Sequence, residues 1–411
     1  MLATPVISTS DPQLPMAKAA ALFAALRSRG PAFIATCGNE ILVGALAPTK
    51  PLDSWAEFAQ VSRGPAAFGN VGYLAYEAGA WLDDLSTKPT PPVPLAWLGT
   101  CEAALVLSPG RPAEIRGDAD AGRDLLGTYP EIPVDAPSGS TAVWSPAADY
   151  RDGVGEVLRH LRAGDCYQVN LARTVDVREP GDPLQVWLRL HASNPARRAM
   201  LLDTGAFTVL SNSPELLLGV RGTSLLSVPI KGTRPGHQRP NALLHSPKER
   251  AELTMIVDLV RADLGRVAKP GSVRAGPRRV GRVGHLWHAM QRVYAQLDTQ
   301  DGRQLDAVDA LAALFPAGSV TGAPKLRASA IIEALEPAPR GVYCGSMGWF
   351  GADGSAYWNV AIRTMTFLGP KLRPDLARLH AGAGIVWGSE PARECLETEW
   401  KAQKMLAALC R

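Results

Sequence analysis

The distribution of apolar and polar positions divides the chain into stretches with different periodicities. From Pro31 to Leu107 short apolar runs alternate with Gly and Pro, as in Ala32-Phe33-Ile34-Ala35, Ile41-Leu42-Val43 and Gly72-Tyr73-Leu74-Ala75-Tyr76, a pattern that predicts short strands. Ahead of them, Met16 to Arg27 is rich in Ala and Leu and predicts a helix. From Ser108 to Ser145 large apolar residues thin out among Pro, Gly, Asp and Ser, which marks a long surface excursion or linker. Val154, Val157, Leu158 and Leu161 then recur on helical spacing between Ala148 and Ala163, and Gly164 closes that helix before a strand from Cys166 to Val175. A hairpin-like stretch follows from Met200 to Val228. Ser246-Pro247-Lys248-Glu249 has the form of a capping box and opens a helix toward Gly265, while Ser389-Glu390-Pro391 opens a last helix that continues nearly to Arg411.

Strands and helices do not alternate strictly, and no G-x-G-x-x-G motif follows a strand to open a helix. The pattern therefore disfavours a dinucleotide fold and predicts a mixed α+β protein. Composition agrees with a globular chain: 411 residues, 46% hydrophobic and 20% charged, are enough for a sizeable core. Lys and Arg exceed Asp and Glu by only four, too weak a footprint for nucleic acid as the default partner. The six cysteines lie far apart, without C-x-x-C or zinc spacing, and read as reduced thiols. Neither a signal peptide nor a membrane span is predicted, so a cytoplasmic location is expected.

Glu249 with Glu252, and Glu394 with Glu397, form two i, i+3 pairs on predicted helices. Each pair shares one helix face, and two such faces brought together would gather oxygen ligands suited to Mg²⁺. From spacing alone such pairs are more often solvated, with Glu397 and Lys401 as an i, i+4 ion pair. Lys231 follows an apolar strand and precedes Gly232; as a nucleophile it would have to be neutral, whereas as a strand-end lysine it would point into water. Glu215 enters the apolar run Leu216-Leu217-Leu218, where desolvation would raise its pKa and suit it to acid catalysis; a turn glutamate is the plainer alternative. Thr321-Gly322-Ala323-Pro324-Lys325 and Ala381-Gly382-Ala383-Gly384 either expose backbone N–H groups to an anion or pack closely. The basic stretch Arg274, Arg278, Arg279 and Arg282 reads as a solvated loop or strand edge.

In this order, and together with Gly164 to Asn170, Ser213-Pro214-Glu215 and Ile362-Arg363-Thr364, these segments resemble the chorismate-utilising enzymes, most closely their aminodeoxychorismate synthase branch. The resemblance runs from Tyr150 to Arg411, with a weaker match at Gly69 to Glu77. It implies a two-sheet α/β/β/α sandwich, with residues 1–145 as an amino-terminal region and 146–411 as the chorismate-binding catalytic region. Glu252 and Glu397 would hold Mg²⁺ against the ring carboxylate, with Glu249 and Glu394 beside them. Arg363, Tyr343 and the backbone of Gly382, Ala383 and Gly384 would meet the enolpyruvyl carboxylate, and Gln168, Thr233, His285, Thr321 and Lys401 would complete the substrate site.

Lys231 marks the aminodeoxychorismate branch, since anthranilate synthases and the isochorismate and salicylate synthases carry alanine there. Gln168 stands where water-adding members carry a lysine base. Amination through a covalent Lys231 intermediate, with Glu215 as general acid, is the implied chemistry. No glutaminase or lyase sequence is recognisable, so ammonia is expected from a separate glutamine amidotransferase subunit and p-aminobenzoate, a folate precursor, from another enzyme. An anthranilate synthase large subunit, or a non-catalytic anion-binding protein of the same fold, are the alternatives. Two departures from the common pattern are Ala262 for asparagine and His288 for serine.

Overall fold

The computed structural model describes residues 14–48, 50–83, 91–137, 139–236, 240, 243, 246–284, 286–370 and 374–410. Two large antiparallel sheets lie face to face with helices against their outer sides, a mixed α/β arrangement. Among the described residues the first sheet has 11 strands. Its path runs Gly322–Ala323, Gln168–Arg178, Leu376–Ile385, Thr364–Leu368, Thr208–Ser213, Arg198–Asp203, Ala32–Cys37, Glu40–Ala45, Ala103–Leu107 and Glu114–Gly117, with Ala142–Trp144 also paired to Gln168–Arg178. The second has 10, in the order Ile230–Pro235, Leu286–Gln296, Ser224–Val228, Leu216–Arg221, Ala356–Asn359, Ser346–Gly351, Gly69–Leu74, Ala96–Cys101 and Ala47–Pro48, with Arg274–Val283 also paired to Leu286–Gln296. Strands from before residue 108 enter both sheets.

Burial on both faces explains the unbroken apolar runs. Along Ala32–Cys37, Phe33 and Ala35 point between the sheets, where they join Val71, Tyr73, Trp97 and Met200. Ala32 and Ile34 point outward against the helices Leu14–Arg27 and Pro183–Ser193. On the far side of the second sheet, Leu253, Val257 and Val260 of the helix Pro247–Gly265 pack with Leu311 and Leu314 of Ala307–Leu314. The predicted helix signals act locally: Ser246 accepts from the Glu249 N–H, and Gly164 adopts the left-handed conformation that ends Ala147–Ala163.

The hairpin-like stretch expected over Met200 to Val228 comprises two hairpins in different sheets. Thr208–Ser213 belongs to the first and Leu216–Arg221 to the second, so the chain crosses between them at Pro214 and Glu215. Proline has no N–H for a ladder, which suits it to the break. A second crossing, Val360 to Arg363, leads from Ala356–Asn359 back to Thr364–Leu368. The two crossings lie side by side, joined by Val360 N–H to Glu215 O at 3.1 Å and Asn212 N–H to Arg363 O at 2.9 Å. Glu215 and Arg363 are thereby placed in the space between the sheets.

The excursion expected over Ser108 to Ser145 adds the edge strand Glu114–Gly117 and the strand Ala142–Trp144, while Leu126, Val134 and Val143 stay exposed. The basic stretch is part of the strand Arg274–Val283 at the border of the second sheet, with Arg274, Arg279 and Arg282 exposed. None of the described helices is long and apolar enough to cross a membrane.

Candidate active site

At one end of the inter-sheet space the apolar core gives way to a cleft of about 990 Å³, measured free of protein atoms and including its mouth. Lys231, Glu215, Arg363, Tyr343 and the strand Ala381 to Gly384 contribute to its walls, and Glu249, Glu252, Glu394, Glu397 and Lys401 face it from two helices. The glutamates are not solvated helix faces. Glu394 is buried, and Glu249, Glu252 and Glu397 are half-buried.

Lys231 sits second in the edge strand Ile230–Pro235, with its Nζ donating to the Ser319 carbonyl at 3.0 Å. Desolvation pulls its pKa below the ordinary lysine value, against Glu252, Glu215 and Glu397, which favour the charged form; Lys401 adds to the depression. Glu215, only 3% exposed, is pushed up to about 7 by burial, although the Ser319 hydroxyl, the Lys231 charge and the Ile230 N–H act in the opposite direction. A lysine biased toward neutrality beside a carboxyl pushed up toward neutral pH has the protonation behaviour that a nucleophile and an acid require.

Opposite them, Arg363 has a left-handed backbone (φ 52°), is buried, and has its pKa lowered to about 10 by burial. Its Nη2 meets His288 Nε2 at 2.8 Å, while its buried Nη1 has no hydrogen-bond partner among the described residues. A buried guanidinium with an unfilled donor suits a carboxylate ligand. The neighbouring strand Leu376–Ile385 is paired on both sides only to Leu379; beyond it, pairing continues with Gln168–Arg178 alone and the other backbone edge borders the cleft. Space is short there: a Cβ on Gly382 would lie 2.9 Å from the Tyr343 hydroxyl, closer than side chains approach, and one on Gly384 would fit tightly at 3.3 Å from Lys231 Nζ. Gln168 is fully buried beside Gly384, and neither its Oε1 nor its Nε2 finds a partner among the described residues; Asn170 Nδ2 in the cleft wall is in the same condition. These unfilled polar atoms suit a small polar guest.

The carboxylates fit a hard cation. Mg²⁺ takes one or two carboxylates and completes its shell with water and substrate oxygens. No group of three His, Cys, Asp or Glu side chains among the described residues converges closely enough to cage an ion unaided. Glu397 pairs with Lys401 at 2.7 Å, as the i, i+4 spacing predicts, and Lys401 also donates to the Gly382 carbonyl at 2.8 Å.

A sequence profile of the chorismate binding enzyme family matches residues 28–407. The chain belongs to that family. Among its relatives, anthranilate synthase component 1 of Streptomyces coelicolor is 35% identical over 84% of this chain and 73% of its own length. Aminodeoxychorismate synthase component 1 of Bacillus subtilis is 38% identical over 66% of this chain and 58% of its own length. The crystal structure of anthranilate synthase component I from Streptococcus pneumoniae superposes with a TM-score of 0.76 at 26% identity, covering 92% of this chain and 90% of that one. The menaquinone-specific isochorismate synthase MenF of Escherichia coli shares the fold, with a TM-score of 0.77 at 19% identity over 95% of this chain and 91% of that one.

Within this chorismate binding enzyme some expected site residues stand away from the cleft wall. Thr321 is fully buried behind it, its hydroxyl donating to the Ala317 carbonyl at 3.0 Å. The turn from Thr321 to Lys325 is a packing turn: a Cβ on Gly322 would strike the Gln168 carbonyl, and Lys325 pairs with Asp263 at 3.1 Å. Thr233 lies on the Lys231 strand, its side chain outside the described part, and His285 lies outside the described residues. Sequence reading passed over Ser319 and His380, both in the cleft wall, and cast His288 only as a departure from a family pattern. It also missed Glu336 and Arg340, a fully buried pair 2.6 Å apart whose guanidinium holds the Val320 and Asn170 carbonyls at 2.8 and 2.6 Å. That pair fixes the cleft wall from behind, and no local pattern announces it.

Proposed function

We propose that this chain aminates chorismate at carbon four, giving 4-amino-4-deoxychorismate, as the first component of an aminodeoxychorismate synthase. The observation that carries the reading is Lys231: an amine in the cleft, biased toward its neutral form, beside a carboxyl whose pKa burial pushes up to about 7. In this reading the neutral amine of Lys231 bonds to carbon two. The ring double bonds shift, and the hydroxyl on carbon four leaves as water with the proton of Glu215. Ammonia then bonds to carbon four, the double bonds return, and the lysine departs after regaining a proton. Net consumption is one chorismate and one ammonia for one product and one water.

Arg363 and the cleft-facing backbone edge at Gly382 to Gly384 would hold the enolpyruvyl carboxylate, and the Gln168 amide with Asn170 Nδ2, which have no partner among the described residues, would meet the incoming ammonia. Glu252 and Glu397, with Glu249 and Glu394 beside them, would hold Mg²⁺. When bound, the ion neutralises the ring carboxylate and orients the ring. A separate glutamine amidotransferase subunit would supply ammonia, and ammonium salts would replace it in a test. The product would feed p-aminobenzoate and folate formation.

The second reading, an anthranilate synthase large subunit, is favoured by two of the relatives above. Incubation with chorismate, Mg²⁺ and ammonium, followed by mass spectrometry, separates the two. The proposal expects 4-amino-4-deoxychorismate, which becomes p-aminobenzoate only after a lyase is added; fluorescent anthranilate without any lyase would reject it. A finer test is Gly384→Ala, whose methyl would lie 3.3 Å from Lys231 Nζ and 3.4 Å from Gln168 Cδ. Displacing the amine by a fraction of an ångström should lower kcat about tenfold, since about 1 Å can cost about a hundredfold. The melting temperature should hardly move, and an unchanged kcat would remove Lys231 from the chemistry.

A further inference from the structure

The pairing of the Lys231 strand Ile230–Pro235 with Leu286–Gln296 slips between Lys231 and Arg234. Gly232 occupies the slip with φ 69°, a conformation glycine adopts without strain, and its carbonyl turns to the His288 side chain. His288 Nδ1 lies 2.9 Å from that carbonyl, and its Nε2 lies 2.8 Å from Arg363 Nη2. A carbonyl can only accept and a guanidinium can only donate, so both ring nitrogens have fixed roles. Nδ1 carries the hydrogen and Nε2 accepts from arginine. The ring is 3% exposed and lies in the cleft wall, where it spans the strand of the proposed nucleophile and the proposed carboxylate anchor.

We propose that His288 is a positioning residue, which sets the plane of the Arg363 guanidinium toward the substrate carboxylate and ties that anchor to the carbonyl next to Lys231. The inference rests on the chorismate reading of the cleft. Arg363 reaches the cleft from a crossing loop with a left-handed backbone, and its Nη1 has no hydrogen-bond partner among the described residues. Without an acceptor at Nε2 the guanidinium would be free to rotate. A short hydroxyl side chain at position 288 could not span both partners, one on the Lys231 strand and the other on a crossing loop. The expected consequence is that substrate binding depends on the acceptor and chemistry on the donor.

Two variants separate these roles, because an asparagine amide overlies Nδ1 and a glutamine amide overlies Nε2. Chorismate binding is measured by calorimetry with Mg²⁺ and without ammonium, and kcat and KM are measured with ammonium. His288→Gln keeps an acceptor for Arg363 and should hold the Kd for chorismate within about threefold while lowering kcat. His288→Asn keeps a donor for Gly232 and should raise Kd and KM about tenfold or more, in keeping with a hydrogen bond to a charged group. Circular dichroism and melting temperature establish that both variants fold. Equal loss in the two variants, or no loss in either, would show that the ring only packs and would overturn the inference. Wild-type protein that binds no chorismate would overturn the functional reading itself, and the inference with it.

Discussion

Replacing Lys231 with alanine is expected to reduce ammonia-dependent turnover of chorismate by about 10³-fold or more, the scale of losing a covalent route whose parts act as a unit. The amine is held at the Ser319 carbonyl and crowded by Gly384, and desolvation opposes its charge. Chorismate affinity should change much less, because the carboxylate contacts assigned to Arg363 and the glycine strand are untouched. Steady-state kinetics together with calorimetric binding checks this split. Full ammonia-dependent activity in the alanine variant would remove the covalent route, and a parallel collapse of binding would make Lys231 a binding residue instead.

Glu215→Gln should lower kcat by about 10² to 10⁴, the range for a lost general acid, and should abolish one limb of the pH profile. Burial raises the Glu215 pKa to about 7, so the proton it donates is present below that pH and lost above it. Wild-type rates should therefore fall as pH rises through about 7, while the need for a neutral Lys231 sets the acidic limb. Stability gives an independent reading. A carboxyl whose folded pKa lies above its unfolded value carries no penalty at low pH, and the penalty accrues as pH rises from the unfolded value to the folded one. Relative to wild type, the glutamine variant should thus melt at progressively higher temperature between about pH 4.5 and 7, then hold that advantage. A variant that keeps the alkaline limb would assign that titration to another group.

Local signals were legible in the sequence because each is encoded by neighbours. Ser246 and Pro247 announce a helix start, Gly164 a helix end, and Glu394 to Lys401 the turns that bear carboxylates and their lysine. The order of such motifs also pointed to the two-sheet fold. What stayed hidden depends on partners distant in the chain. Glu215 was recognisable as a glutamate entering an apolar run, but only the adjacent crossings at Pro214 and Val360 explain its burial between sheets. His288 and Arg363 are 75 residues apart, and Arg340 holds the carbonyl of Asn170 from 170 residues away. Spacing on one helix could not tell a solvated glutamate pair from one that faces a cleft, because that depends on which other helix comes opposite. Thr321 illustrates the converse, a residue matched by motif whose hydroxyl is satisfied within its own turn.

The central claim is the transient bond between Lys231 and the substrate ring, and mass spectrometry of the quenched protein and its peptides tests it most directly. Protein mixed with chorismate and Mg²⁺ in the absence of ammonia, then acid-quenched and digested, should carry an adduct of chorismate less one water on the peptide containing Lys231. The adduct should disappear on adding ammonium and be absent from Lys231→Ala. Product formed at the normal rate by protein that never carries the adduct, or an adduct on another residue, would contradict the account.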